Sequence, residues 1–371
     1  MKKRALALFA IIAILFLLVV RVEAVESTSK TIVVPDDYIQ IQEAINAANE
    51  GDTIFVKKGY YVENPVINKS ISLVGEDRDT TIIDVTAGLK VERDCVTVTG
   101  LTIFDGYEGI SIGANCCNIY GNKVTDAQLG IVLHGGENNS VSGNLLVSIG
   151  SAGAVVLWYS DNNLINNNNI DSCTEGIQLR LGSSNNLVKE NIITNCEFVA
   201  VRLIGSYSPP RWYYPNSNTI IRNNISNSGC GTTIYASNSN TISNNNYVNN
   251  TYQFLANEEY YIIWGGSVSV NTIEENFWSD YNGTDSNGDG MGDVPYVLDE
   301  NNMDPYPLMK PVSIPTSPES TSSPEPTITT SPSPFPSEEP QLGQDVLLGV
   351  AVTVAVLAVG LGLLVYLIKR K

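Results

Sequence analysis

The sequence predicts an all-β solenoid, a single-stranded parallel β-helix, and three observations carry the prediction. One motif, an apolar residue, two spacers, Asn, one spacer and a second large apolar residue, recurs seven times between Ile119 and Trp278. Its asparagines, Asn122, Asn144, Asn168, Asn191, Asn223, Asn245 and Asn276, lie 22, 24, 23, 32, 22 and 31 residues apart. A second strand motif falls between them, running from Ile110-x-Ile112 through Ile131-x-Leu133, Val155-x-Leu157 and Ile177-x-Leu179 to Thr232-x-Ile234, with no helical pattern intervening. Period-2 strands repeating at that interval make a coil in which each turn lies on the last, about 4.8 Å away. The register then stacks the asparagines, so that each buried amide bonds its neighbour one coil away.

Taken in order, Met1–Arg4 is basic, Ala5–Val20 is unbroken apolar sequence, and Val22-Glu23-Ala24 supplies the small residues of a processing site, so 1–24 read as a signal peptide. A helix expected over about Ile39 to Asn49 places Ile41, Ala44, Ile45 and Ala48 on one face and plugs the first coil. The solenoid with its caps occupies 25–309 and includes an acidic segment over 280–304. Residues 310–345 hold nine prolines among Ser, Thr and Glu, too polar to fold, and read as a disordered, glycosylated stalk. Residues 346–368 are 23 uncharged residues followed by Lys369-Arg370-Lys371, a transmembrane helix with a cytoplasmic tail at 369–371. The body is therefore expected outside the cell on a single-pass anchor. Sequons at Asn68, Asn138, Asn224, Asn249 and Asn282 fit that location.

Composition narrows the function. The 371 residues carry 39 acids against 21 bases, and without the terminal segments 14 bases face 38 acids, a charge of −24. That balance excludes a nucleic-acid surface. One His and four Met leave few soft ligands for a transition metal.

Pro35-Asp-Asp-Tyr38, Ile41-Gln-Glu-Ala-Ile45, Gly51-Asp-Thr-Ile-Phe-Val56 and the run from Ile71 to Asp84 resemble the opening of NosD-like right-handed β-helix proteins. Asn276-Phe-Trp278-Ser-Asp-Tyr281-Asn-Gly283 through Asp293-Val-Pro-Tyr296 resembles the close of that family, above all its stalked or anchored archaeal surface members. The resemblance implies a right-handed, pectin-lyase-like solenoid associated with carbohydrates or surfaces. It also implies periplasmic copper delivery, from which this chain departs: it has no Cys-x-x-Cys, no Met-rich run and His134 alone.

Three constellations carry candidate chemistry. Asp285, Asn287, Asp289 and Asp293, with the Met291 carbonyl and Gly290, have the spacing of a Ca²⁺ loop, although Tyr296 replaces its final Glu. Completing such a shell requires Asp280, Asp299 or Asp304, and the ion would be structural. Strand alternation sets Ser111, Val132, Val156, Gln178, Arg202 and Thr233 in one outward column. Gly113, His134, Trp158, Arg180, Ile204 and Tyr235 form its neighbour. His134, Trp158, Arg180, Arg202 and Tyr235 are expected to form a shallow groove for sugar rings, walled by the inserted loop bearing Trp212. Glu137 and Asp161 occupy equivalent turn positions beside it and are the candidate catalytic pair if the protein is a polysaccharide lyase or glycoside hydrolase. Cys95 with Cys116, and Cys173 with Cys196, fall one coil apart, as either disulfides or stacked thiols. The function expected is a surface-anchored protein that binds surface polysaccharide or envelope components.

Overall fold

The computed structural model describes residues 29–208, 211–256 and 270–315. The expected signal peptide, most of the stalk and the membrane anchor lie outside the described residues. Among those described, no helix is long and apolar enough to cross a membrane.

The chain winds into a parallel β-solenoid whose coils contribute strands to three sheets of 11, 9 and 10 strands. A typical coil takes Asn118–Tyr120 into the first sheet, Lys123–Thr125 into the ten-stranded one and Leu129–His134 into the nine-stranded one. The next coil then begins at Ser140–Ser142, paired in register on Asn118–Tyr120. Strands of three residues suffice because each presents one inward side chain. Ile119, Val141, Ile165, Val188, Ile220 and Ile242 stack in one such column, all fully buried. A buried aliphatic side chain contributes about 1.5–3 kcal/mol, so repetition rather than element length stabilises the fold.

Helix α1 (Ile41–Ala47) covers the first coils with Ile41, Ala44 and Ile45 buried. It is shorter at both ends than the apolar pattern predicts, because Gln40 and Ala48 are extended. Gln40 makes no side-chain cap; instead the Ile41 and Gln42 amides donate to the Glu63 carboxylate at 2.9 and 3.0 Å. At the far end Trp278 lies between Tyr247 and Tyr296, stacked at 4.5 Å on each.

The predicted asparagine ladder is present and has a direction. The Asn144 amide N–H and its Nδ2 both donate to Asn168 Oδ1, at 3.0 Å each, while Nδ2 also donates back to the Ile119 carbonyl at 2.9 Å. The residue before each ladder Asn is left-handed, from Gly121 and Gly143 to Asn167, Glu190, Arg222, Asn244 and Glu275. That turn directs successive amides down the axis. A second ladder, not read from the sequence, runs through Asn139, Asn163, Asn186, Asn218, Asn240 and Asn271 by the same bonds. Since every rung donates toward the C-terminal end, each ladder needs an acceptor there. Asp304, fully buried, accepts from the Asn276 amide, Asn276 Nδ2 and Trp278 Nε1 at 2.9, 3.3 and 3.0 Å. The second ladder ends on Asn302, whose own amide group donates to the Asp299 carboxylate.

Candidate functional site

The outer face of the nine-stranded sheet carries the residues expected to form a groove, and their registers are as predicted. His134 pairs with Trp158, Trp158 with Arg180, Arg180 with Ile204 and Ile204 with Tyr235. The groove, however, is not continuous. Val132, Val156, Gln178, Thr233, Ile204 and Tyr235, expected on the open surface, are buried. Val132 and Val156 form a small apolar cluster with Leu129 outside the coil, against which Ala152 and Trp158 pack. The cause lies in the coil between Asn144 and Asn168. It has 24 residues where the preceding one has 22, and the two extra residues fall between Ser148 and Ala154. This longer segment folds over the face, and Gln178 Nε2 anchors it through the Ala152 carbonyl. A ridge therefore divides the face into two clefts.

The first cleft, about 320 Å³, is lined by Lys90, Glu92, Glu108, Ser111, Gly113 and His134 among others. His134 Nε2 lies 3.1 and 3.2 Å from the two oxygens of Glu108. Its ring meets Trp158 edge-on at 5.1 Å. Burial alone would raise the Glu108 carboxyl, but hydrogen bonds from His134 and Ser111 outweigh it and hold the group below its ordinary value. The inserted loop is a hairpin of Ser206–Ser208 with Arg211–Tyr213. It reaches the face through Tyr213, whose ring meets Tyr159 edge-on at 5.4 Å over Gly182. Trp212 itself stacks on Tyr214 at 6.1 Å.

Beyond the ridge, Arg202 pairs with Glu175 at 2.8 Å. Burial raises the Glu175 carboxyl despite the opposing pull of Arg202, Gln178 and Arg180. Glu108 and Glu175 were not singled out from the sequence. The signal was available: Glu-Gly-Ile-x-Ile/Leu occurs at both 108–112 and 175–179. The glycine after each glutamate is required, since a Cβ at Gly176 would come within 2.3 Å of the Ala200 carbonyl oxygen.

The candidate catalytic pair has a different setting. Asp161 Oδ1 accepts from the Ser184 amide at 2.7 Å, bracing the next turn, and Glu137 is exposed with its backbone in the same row of turns. Asp285 accepts from the amides of Gly288, Asp289 and Gly290, and Asp289 from those of Met291 and Asn287's side chain, so the acidic loop is internally ordered. Asp293 accepts from Ser286 and Thr284, which keeps its carboxyl below the ordinary value. The carboxylates needed to complete a shell are employed elsewhere: Asp280 holds the Tyr296 hydroxyl, while Asp299 and Asp304 end the ladders. Among the described residues no group of three or more His, Cys, Asp and Glu side chains is gathered for a metal ion. Cys95 and Cys116 sit on adjacent coils, both exposed, and desolvation together with the neighbouring Cys95 raises the Cys116 thiol above its ordinary value. Cys173 and Cys196 stack inside, where burial pushes them up to about 11 and about 12. All six cysteines are thiols in the structure. Asn68, Asn138, Asn249 and Asn282 are exposed; Asn224 is half-buried within a strand.

Comparison with known proteins agrees with this architecture. Residues 45–209 match the family described as periplasmic copper-binding protein (NosD). No curated protein sequence matches. Among solved structures, a PL6 alginate lyase in complex with a trisaccharide is 13% identical, with a TM-score of 0.51, covering 73% of this chain and 65% of its own. An alginate lyase from a Paenibacillus species is 13% identical, TM-score 0.45, over 67% of this chain and 95% of its own. The A-module of an Azotobacter vinelandii mannuronan C-5 epimerase is 15% identical, TM-score 0.46, over 64% of this chain and 82% of its own. Over residues 45–209 the chain is thus similar to the NosD family, and its coil architecture is the parallel β-helix fold that it shares with the PL6 lyase.

Proposed function

We propose that the protein binds carbohydrate through the outer face of its nine-stranded sheet. The observation that carries this reading is the first cleft, lined by the His134 imidazole held by Glu108 and by Lys90 and Glu92, with the Trp158 indole on the neighbouring ridge edge-on to that imidazole. Aromatic faces beside fixed polar groups suit a pyranose, which offers an apolar face and a hydroxyl rim. The trisaccharide complex of the PL6 lyase, a protein of the same fold, supports the choice of ligand class. We further propose that the solenoid is displayed outside the cell on the 310–345 stalk and the 346–368 anchor, where the ligand is surface polysaccharide or another envelope component. Calcium binding by the loop at Asp285–Asp293 is a separate proposal, supported by its spacing.

A glycan array read together with a reducing-end assay tests the function. Binding without turnover is the expected result, and Trp158→Ala should weaken it by about 1–3 kcal/mol with the fold retained. Turnover would make the protein an enzyme, and the absence of both would remove the reading.

A further inference from the structure

The second cleft, on the last three strands of the nine-stranded sheet, differs from the first in having buried polar groups without a partner among the described residues. It measures about 360 Å³, at the small end of ligand pockets, and its lining includes Arg202, Thr233, Phe198, Tyr252 and Glu197. Thr233 stands beside Arg202 in register on the neighbouring strand. Its side chain is 2% exposed, yet its hydroxyl has no hydrogen-bond partner among the described residues. Arg202 spends one terminal nitrogen on Glu175, and its buried Nε likewise lacks a partner. An unpaired buried polar group costs about 1–3 kcal/mol, a penalty a ligand can relieve. Around this polar floor the apolar rings are unusually open, Phe198 being 54% and Tyr252 58% exposed.

We infer that this cleft is a subsite for one neutral saccharide unit, resting on the carbohydrate reading above but naming a different place and a substrate class. The floor presents an N–H that only donates beside a hydroxyl that donates and accepts. A sugar hydroxyl can accept the first and bond the second in either direction. The sugar's C–H face then lies on Tyr252 or Phe198. Charge argues against an acidic unit. Arg202 is already neutralised by Glu175, Glu197 lines the same cleft, and the whole chain carries −18. Arg180, which also acts on Glu175, does not line it.

The experiment is calorimetric titration of the full chain with neutral gluco-, manno- and galacto-oligosaccharides of two to four units, beside uronate oligosaccharides of equal length. Thr233→Val keeps the shape and removes the hydroxyl. It should weaken neutral-sugar binding about tenfold while leaving thermal stability unchanged or raised, since no protein hydrogen bond is lost. Tyr252→Ala should also weaken binding. If the wild type binds saccharide but neither substitution matters, while Trp158→Ala does, the carbohydrate reading stands and this subsite is overturned. Preference for uronates that Thr233→Val abolishes would overturn the assignment to neutral sugars. Binding of no saccharide at all would remove both.

Discussion

The interior of the coil and the outer face of the nine-stranded sheet treat polar side chains in opposite ways. Inside, Asn168 receives two hydrogen bonds from Asn144 and gives its own to Asn191 and the Val141 carbonyl, so nothing is left over. Outside, Thr233 and the Nε atoms of Arg180 and Arg202 are buried without partners among the described residues. The difference follows from repetition. An amide copied every coil finds its partner by translation alone, whereas a face whose side chains change from coil to coil must pair each group individually or leave it for a ligand. Exact repetition thus marks structure here, and departure from it marks the candidate site.

Substitutions that swap these two conditions sharpen the contrast. The largest effect is expected inside: Asn168→Ala strands donors on Asn144 and should cost about 2–4 kcal/mol, followed by denaturant unfolding, with saccharide affinity unchanged. A stability loss no greater than that of an exposed Asn would mean that the ladder is incidental.

A smaller effect separates two carboxylates on the outer face. Glu108 lies below its ordinary value of 4.5, so its stabilising contribution is present above that value and fades as pH falls through the lowered one. Glu175 lies above 4.5, so its contribution is complete below that value and is lost as pH rises through the raised one. The stability difference between wild type and Glu108→Gln should therefore grow with pH on the acid side of 4.5, and that for Glu175→Gln should shrink with pH above it. Slopes of the same sign in the two titrations would contradict the assigned environments.

The smallest effect concerns the acidic loop, which belongs to neither region. If it binds calcium only when folded, chelator should lower the melting temperature modestly and Asp289→Ala should erase the difference. An unchanged wild-type melting curve at millimolar calcium would retire the idea.

How much was legible follows the same division. The seven asparagines in register gave the coil, one ladder and the buried strand centres, because a repeated position has a single physical explanation. The second ladder was hidden because its first position is Cys117, whose amide donates to Asn139, and because its rungs lie within Asn-rich turns where a turn-forming role masks a stacking one. On the outer face, alternation correctly placed His134 beside Trp158 but could not foresee that two additional residues before Ala154 would cover Val132 and Val156. Strand period gives the side a residue points to, not what lies over it.

Asp304 and Asp299 have a consequence for assembly. A coil that offers its successor the surface it received from its predecessor has no inherent last turn, and a second copy arriving end-on could continue it into a filament. The ladders' direction leaves donors at that end, and the carboxylates consume them: Asp304 alone takes up those of Glu275, Asn276, Trp278 and Tyr306. Among the described residues no ladder donor is left there for an incoming chain, and Trp278 is already covered by Tyr296. The two aspartates thus give a repetitive coil a defined last turn, because they take up the donors that a further turn would otherwise receive.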